Sequence, residues 1–245
     1  MKRVAICIKG AVSKKGSDHE RFYHKNELYR HGEYVDYVAV RNSVIKHIVE
    51  ANPECNFDFF LHGWNIDLKD ELVDLYKPKS FLFEDNNNYN DEISAMITDP
   101  KDFGGISGSL SLKKSLELKE QYEKDNDMKY DIVIIYRYDV LIWKDMSLDF
   151  YNVNNSIYVN KWNGSCSADY HFVMSSENAY RFKYLYNSVV DHNNKHKFHH
   201  WIKNYIVNIL KCRLLEDDIP VGLFQEHMRL MTKNPVYINI LKNFV

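Results

Sequence analysis

The sequence predicts an α/β protein with a mostly parallel central sheet flanked by helices, and two observations lead to this fold class. Strand-like and helix-like segments alternate from residue 3 to residue 141, the order of a layered α/β domain. Residues 130–142 (YDIVIIYRYDVLI) are apolar with little polar alternation, which is typical of a strand covered on both faces. No repeat or linker divides the 245 residues, so we expect one domain over residues 1–245.

The first half of the chain supplies most of the predicted elements. The predicted strands are short apolar runs at residues 3–10, 57–64, 80–84 and 130–142. The predicted helices have apolar residues at three- and four-residue steps and cover residues 38–49, 68–76 and 110–122. The polar segments 11–33 and 85–108 are long for connections, and we expect them to be loops over one face.

The second half is more mixed. Residues 156–161 and 170–175 are typical of two further strands around a polar loop. A serine cap followed by Glu177 predicts a helix from residue 175 onward, and residues 199–210 predict another. We expect residues 191–245 to form a C-terminal helical part, to which no role is assigned.

Composition narrows the class of function. The 32 basic and 34 acidic residues give a net charge of −2, which predicts no nucleic-acid partner and no membrane-surface field. No run reaches the roughly 18 to 20 apolar residues that span a bilayer, so we expect no transmembrane segment. The four cysteines are widely spaced without a CxxC pair, which favours reduced thiols and a cytoplasmic location.

Charged residues near the end of the 130–142 strand are the strongest functional signal. Arg137 and Asp139 cannot be buried there cheaply without a partner or a ligand. We therefore expect them where the strand leaves the sheet, with Asp139 facing a cleft, because ligands of open α/β sheets bind beyond the carboxyl ends of the strands. An Arg137–Asp139 salt bridge is the alternative.

The order of several motifs resembles bacterial and viral polysaccharide-assembly glycosyltransferases with a GT-A-like, Rossmann-related fold. The motifs are VAICIKG, FDFFLHGW, SGSLSLKKSLEL, KYDIVIIYRYDVLI and ADYHFVMSSENAYRF, and they span roughly residues 3–185. The resemblance implies a nucleotide-sugar donor and a glycan or glycoconjugate acceptor. It also implies a donor base bound by the loop after the first strand, where Lys9, Gly10 and Lys14 lie. His62 would contribute to the donor site, although a histidine at such a strand end is more often a hydrogen-bonded structural group.

A divalent metal, Mn²⁺ or Mg²⁺, is a further implication of this resemblance. Such enzymes commonly hold the metal with Asp-x-Asp, but here the first aspartate is replaced by Arg137. Asp139 could hold the metal, with His227 as a further ligand, while Arg137 binds the diphosphate. A metal-free site is the alternative.

The resemblance further implies that a carboxylate in the second half of the chain takes the proton of the acceptor hydroxyl, and Asp169 is the candidate for this catalytic base. A loop-capping role for Asp169 is the alternative. The histidines of residues 191–200 (DHNNKHKFHH) have i, i+4 spacing, but a solvated loop is favoured over a zinc site. The leading hypothesis is a glycosyltransferase. A non-catalytic glycan- or protein-binding module with a similar fold is the alternative, and a nucleotide-processing phosphodiesterase is the third.

Overall fold

The computed structural model describes residues 1–13, 34–97, 99–160, 169–191, 198–219 and 221–223. Within these ranges the predicted α/β class is confirmed: a mostly parallel seven-stranded sheet is flanked by helices. The predicted Lys14, His192, His196 and His227 lie outside the described residues. No helix in the described ranges is both long and apolar enough to cross a bilayer.

The central sheet has the strand order β3-β2-β1-β4-β7-β6-β8. Its strands are β1 (Lys2–Lys9), β2 (Cys55–Gly63), β3 (Ser80–Phe83), β4 (Ile132–Arg137), β6 (Ser156–Asn160), β7 (Phe172–Met174) and β8 (Arg213–Asp217). The pairs β1–β2, β1–β4, β2–β3 and β6–β8 are parallel, whereas β7 runs antiparallel to both β4 and β6. The carboxyl ends of β1, β2 and β4 therefore meet at one edge of the sheet.

Helices cover both faces of this sheet. They are α1 (Tyr37–Val44, continued by a π-helical turn Ile45–Val49), α2 (Lys69–Tyr76), α3 (Asn90–Met96), α4 (Phe103–Asp125), α5 (Ser176–Phe182), α6 (Leu185–Asp191) and α7 (Phe198–Asn204, continued by Tyr205–Ile209). Alternate residues of β1 enter two different cores: Ile6 packs with residues of α1 and α2, and Cys7 packs with residues of α4. This double coverage explains why β1 and β4 are apolar without alternation.

The predicted strand 130–142 is two strands, which corrects the sequence interpretation. After β4 the chain turns at Tyr138 and Asp139 and continues as β5 (Val140–Ile142). β5 leaves the central sheet and pairs antiparallel with β9 (Val221–Leu223) in a separate two-stranded sheet. The apolar run continues through the turn because β5 is buried as well.

The predicted loop 85–108 is also wrong. It contains the turn Asn86–Tyr89, α3, the turn Pro100–Asp102 and the first residues of α4. Glycines hid the start of α4, because glycine disfavours helices in isolation. At Gly105 the reason is tertiary: a Cβ there would lie 2.5 Å from Cγ of Phe198. The glycine lets α7 pack closely against α4.

Within the described residues, the C-terminal part contains strands as well as helices. Residues 198–209 are helical as predicted. Strands β8 and β9 follow; β8 is an edge strand of the central sheet, and β9 pairs with β5 in the small sheet. The helix predicted from residue 175 begins as expected, with the Ser175 side chain accepting from the Asn178 N–H. It is interrupted at Lys183 and Tyr184, so that α5 and α6 are separate helices.

Candidate functional site at the carboxyl end of the sheet

Four charged side chains meet at the carboxyl ends of β1 and β4. Lys9 and Arg137 are the last residues of these two strands and are paired in register. Asp139 lies in the turn that follows β4. Asp169 precedes β7, and because β7 runs antiparallel to β4, its start lies at the same edge. The structure therefore brings together the Lys9, Arg137, Asp139 and Asp169 predicted from sequence; we call them the charged cluster.

Arg137 is the centre of the charged cluster. Its Nε and Nη2 donate to Oδ1 and Oδ2 of Asp139, both at 2.9 Å. Its Nη1 donates to both carboxylate oxygens of Asp169 at 3.1 Å. The Arg137–Asp139 salt bridge, which was the alternative to an Asp139 facing a cleft, is therefore present, and the guanidinium bridges two carboxylates. The Arg137 side chain is 25% exposed, whereas Asp139 is only 4% exposed.

Lys9 supplies the second positive charge. Its Nζ lies 3.4 Å from Oδ2 of Asp169, and the residue is 4% exposed. Burial lowers the pKa of Lys9, and the neighbouring Asp169 offsets this only in part. Burial by itself would raise the pKa of Asp169, but Arg137 and Lys9 hold that pKa well below its usual range. Asp169 is therefore an ionised carboxylate and a weak base in this arrangement.

Gly10 begins the loop beside the charged cluster. Its φ of +101° is a conformation that other residues rarely adopt, and within the described part of the chain no atom lies within 4 Å of a Cβ built there. The Gly10 N–H donates to the Ser111 hydroxyl at 2.6 Å, and its carbonyl accepts from the Trp64 N–H at 3.1 Å. The backbone next to Lys9 is thus held from two sides, and no described residue contacts the side on which a Cβ of residue 10 would project.

The rest of the described loop is anchored in the same way. The Val12 N–H donates to the Asn65 side chain at 2.7 Å. The Ser13 hydroxyl donates to Oδ2 of Asp139 at 2.6 Å, so the loop also contacts the charged cluster. Residues 10–13 are consequently fixed relative to the ends of β1, β2 and β4.

His62 is fully buried, and the predicted direct contact with a donor does not fit this position. Its Nδ1 lies 2.7 Å from the Ser111 hydroxyl and its Nε2 lies 3.2 Å from a Glu84 oxygen. Burial lowers the pKa of His62 to about 4, so the ring is neutral at pH 7. His62 positions Ser111, which in turn holds Gly10.

A second charged group stands behind His62, at the end of β3. Burial opposes ionisation of Glu84, but hydrogen bonds from Lys114, Tyr89 and His62 lower its pKa to about 2. Lys114 Nζ lies 2.6 Å from Glu84, and the Tyr89 hydroxyl donates to the same carboxylate at 2.6 Å. These side chains brace His62 rather than the charged cluster.

The charged cluster does not fit a divalent metal. Both oxygens of Asp139 already accept from Arg137, and one of them accepts from Ser13 as well. A dication about 4 Å from a guanidinium would be repelled by roughly 8 kcal/mol at an effective dielectric constant near 20. In the described ranges no group of three or more His, Cys, Asp or Glu side chains could hold a metal ion.

Sequence reasoning missed the anchoring residues Ser13, Ser111 and Glu84. The signal for Ser111 was in the sequence, because helix α4 carries serines on its buried face. They are Ser107, Ser109, Ser111 and Ser115. A hydroxyl on a buried helical face needs a hydrogen-bond partner, which for Ser111 is a residue of the site.

The chain is thus an α/β protein with a charged cluster at the carboxyl end of parallel strands. No protein-family model matches the sequence, and no curated protein matches it. Comparison with solved structures finds 182 similar chains. One is the bifunctional glycosyltransferase WbbM in its apo form, with a TM-score of 0.45 and 14% sequence identity. The similarity covers 89% of this chain but spans only 38% of the WbbM chain, and similarity at this level carries no information about activity.

Proposed function

We propose that the protein is a glycosyltransferase that moves a sugar from a nucleoside-diphosphate donor to a glycan or glycoconjugate acceptor. One observation carries the proposal. The charged cluster combines two cations with two aspartates beside a fixed loop, and it lies at the edge where α/β proteins bind ligands. The order of the sequence motifs, which resembles that of polysaccharide-assembly glycosyltransferases, supports the same proposal.

In this proposal Lys9 and Arg137 receive the diphosphate of the donor. Arg137 offers a planar fork that suits phosphate oxygens, and a quarter of its side chain is exposed. Lys9 adds a point charge next to Gly10, where the absence of a side chain allows a ligand to approach closely. The two cations would stabilise the negative charge that develops on the leaving group.

Asp169 is the proposed base, but its present contacts keep it a weak one. A donor diphosphate would compete with Asp169 for Arg137 and Lys9, since both cations now contact that carboxylate. Losing these contacts leaves a buried carboxylate without its cations, and its pKa rises. Donor binding would thereby turn Asp169 into an effective acceptor of the proton.

The transfer step then balances as a displacement at the anomeric carbon. The acceptor hydroxyl oxygen forms the new glycosidic bond, and its proton passes to the Asp169 carboxylate. The bond between the anomeric carbon and the diphosphate breaks, and its electron pair leaves with the nucleoside diphosphate. Lys9 and Arg137 hold the additional charge of that product.

Nucleotide binding and donor turnover test the proposal directly. Thermal unfolding should shift upward with at least one nucleoside diphosphate, because a ligand that binds only the folded state stabilises it. A panel of nucleotide sugars should then identify a donor that is hydrolysed slowly or transferred. If no nucleoside diphosphate shifts the transition and no donor is consumed, with or without Mn²⁺, the proposal is wrong.

The second candidate function is a non-catalytic binding module, and one observation favours it. Each charged group of the cluster already has an oppositely charged partner within the protein, as in a purely structural network. Such a module would ignore nucleotides. Its glycan or protein binding would survive Asp139→Ala, provided that the variant folds.

A further inference from the structure

The starting observation is the position of the Arg137 guanidinium between two carboxylates. It donates two hydrogen bonds to Asp139 and two to Asp169, so that one cation joins both acidic groups. A divalent metal in a pair of aspartates would join them in the same way, through their oxygens. Here the position between the carboxylates is filled by a side chain that cannot lose its charge.

Lys9 supplies the second of the two positive charges that a divalent metal would carry. Its ammonium contacts Asp169 from the β1 side, and it is held beside α4, since a Cβ on Gly108 would lie 3.6 Å from Nζ. Lys9 and Arg137 together carry the two positive charges of one dication. Both extend from the ends of neighbouring strands and are paired in register, so their separation is set by the sheet.

We propose that Lys9 and Arg137 replace a divalent metal and that nucleoside diphosphates bind at the charged cluster without one. This inference rests on the proposed function and assigns its cofactor requirement as none. It also explains why an arginine occupies the first position of Arg137-Tyr138-Asp139. A guanidinium there attracts phosphate oxygens and repels a dication, whereas a carboxylate would do the reverse.

Isothermal titration with UDP and with GDP, in EDTA and then in Mn²⁺, separates the possible outcomes. We expect the same dissociation constant within about threefold in both conditions, because fixed side-chain charges need no added ion. Binding that improves tenfold or more with Mn²⁺ overturns the inference but leaves the proposed function standing. Absence of binding in both conditions, for the whole nucleotide panel, overturns the proposed function itself.

Two variants make the test specific to the cluster. Lys9→Met keeps the length of the side chain and removes its charge, and it should weaken nucleotide binding about tenfold or more, equally in EDTA and in Mn²⁺. Lys203→Met, on the exposed side of α7, is the matched control and should leave the affinity unchanged. Unchanged affinity in Lys9→Met contradicts the assignment.

Arg137→Asp is the complementary variant. It removes the guanidinium and adds a carboxylate two residues before Asp139, so Mn²⁺ should bind to the variant more tightly than to the wild type. Electron paramagnetic resonance of Mn²⁺ measures this gain without any activity assay. Stronger Mn²⁺ binding by the wild type than by the variant contradicts the inference. If the variant is unfolded by circular dichroism, the Lys9→Met result decides.

Discussion

Strand β4 has a group of charged side chains at each of its ends, and the two groups differ in how much of each is exposed to solvent. At the amino end, Lys119 of α4 pairs with Glu123 at 2.8 Å, with side-chain exposures of 1% and 6%. At the carboxyl end, Arg137 of the charged cluster is 25% exposed. Both groups contain buried ion pairs, yet only the second leaves part of a cation accessible.

The group at the amino end is saturated by neutral partners. One Glu123 oxygen accepts from the Ser176 hydroxyl at 2.6 Å and from the Tyr130 N–H at 2.9 Å. Lys119 also donates to Ser176 at 2.5 Å. One cation and one carboxylate are thus surrounded by fixed dipoles, and these contacts join α4 to the starts of β4 and α5. The arrangement is structural.

Among the residues that the structure describes, the cluster at the carboxyl end contains more charged groups and fewer neutral hydrogen-bond partners than the group at the amino end. Arg137 and Lys9 share Asp169, so either cation can release it while the other still compensates its charge. Ion pairs whose partners can be exchanged suit a binding site, whereas fully hydrogen-bonded buried pairs suit a rigid connection between elements. Two properties therefore distinguish the candidate binding site from the structural ion pair. Arg137 is partly exposed, and Asp169 is shared by two cations.

The largest expected effect is on the carboxyl-end cluster. Asp169→Asn should reduce sugar transfer by about 10²- to 10⁴-fold, since a general base contributes on that order. Nucleotide affinity should be kept or improved, because the substitution frees Arg137 and Lys9 from a competing charge. Transfer rates with the donor found in the panel, together with calorimetry of nucleotide binding, measure both effects.

The control for this variant is Asp127→Asn, an exposed position where φ is 45° and asparagine is well tolerated. Its transfer rate should equal that of the wild type. A transfer rate of Asp169→Asn within a few-fold of wild type would show that Asp169 is not the base.

The second largest effect is on the amino-end group. Lys119→Met leaves Glu123 buried without its cation, and the free energy of unfolding should fall by about 3 to 5 kcal/mol. Urea denaturation followed by circular dichroism measures this loss. Lys124→Met is the control, because that lysine is exposed and pairs with Glu120 on the helix surface. Equal, small losses in the two variants would mean that the amino-end group is not structural.

A smaller effect concerns pH and His62. The pKa of His62 in the folded protein is about 4, below its ordinary value of 6.5, so only the unfolded state takes up a proton between these values. His62 therefore adds stability that is complete above pH 6.5 and is lost as the pH falls towards 4. Between pH 7 and pH 5 the loss should be roughly 2 kcal/mol.

Urea denaturation at pH 7 and pH 5 measures this loss. His62→Gln should flatten the dependence in this window, because glutamine does not titrate. A variant with the same slope as wild type would assign the pH dependence to other histidines.

The smallest effect concerns the support of Gly10. Ser111→Ala removes the acceptor of the Gly10 N–H and the partner of His62, and it should cost about 1 kcal/mol of stability. Nucleotide affinity should fall as well, since the loop beside Lys9 loses its anchor. Ser115→Ala is the matched control: that hydroxyl is equally buried, and its one hydrogen bond to a described residue goes to the Leu112 carbonyl of its own helix.

If both serine variants change affinity alike, the role of Ser111 in positioning Gly10 is disproved. Equal stability losses with different affinities would instead support it.

Much of the fold could be predicted because strands that are buried on both faces have continuous apolar sequences. The apolar runs around Ile6 and Ile134 predicted β1 and β4 correctly, and helical spacing predicted α1. The segment 85–108 could not be predicted, because a contact between Gly105 and Phe198, distant in sequence, decides its helical start. The turn at Asp139 was hidden because both strands beside it are buried.

The charged residues of the candidate site could be predicted from the sequence, but the contacts between them could not. Arg137 and Asp139 stand out in any reading of an apolar strand, and parallel topology places Lys9 beside them. That Arg137 also contacts Asp169 depends on the direction of β7, which local sequence does not reveal. That His62 contacts Ser111 of α4 depends on how this helix packs on the sheet, which local sequence does not reveal.

The small sheet of β5 and β9 connects distant parts of the chain. Val140, the neighbour of Asp139, is paired with Leu223, so the turn that carries the aspartate depends on a segment far along the polypeptide. Removing β9 would leave β5 with an unpaired edge and loosen the residue next to that carboxylate. A C-terminal deletion should therefore weaken the proposed nucleotide binding without removing any residue of the charged cluster.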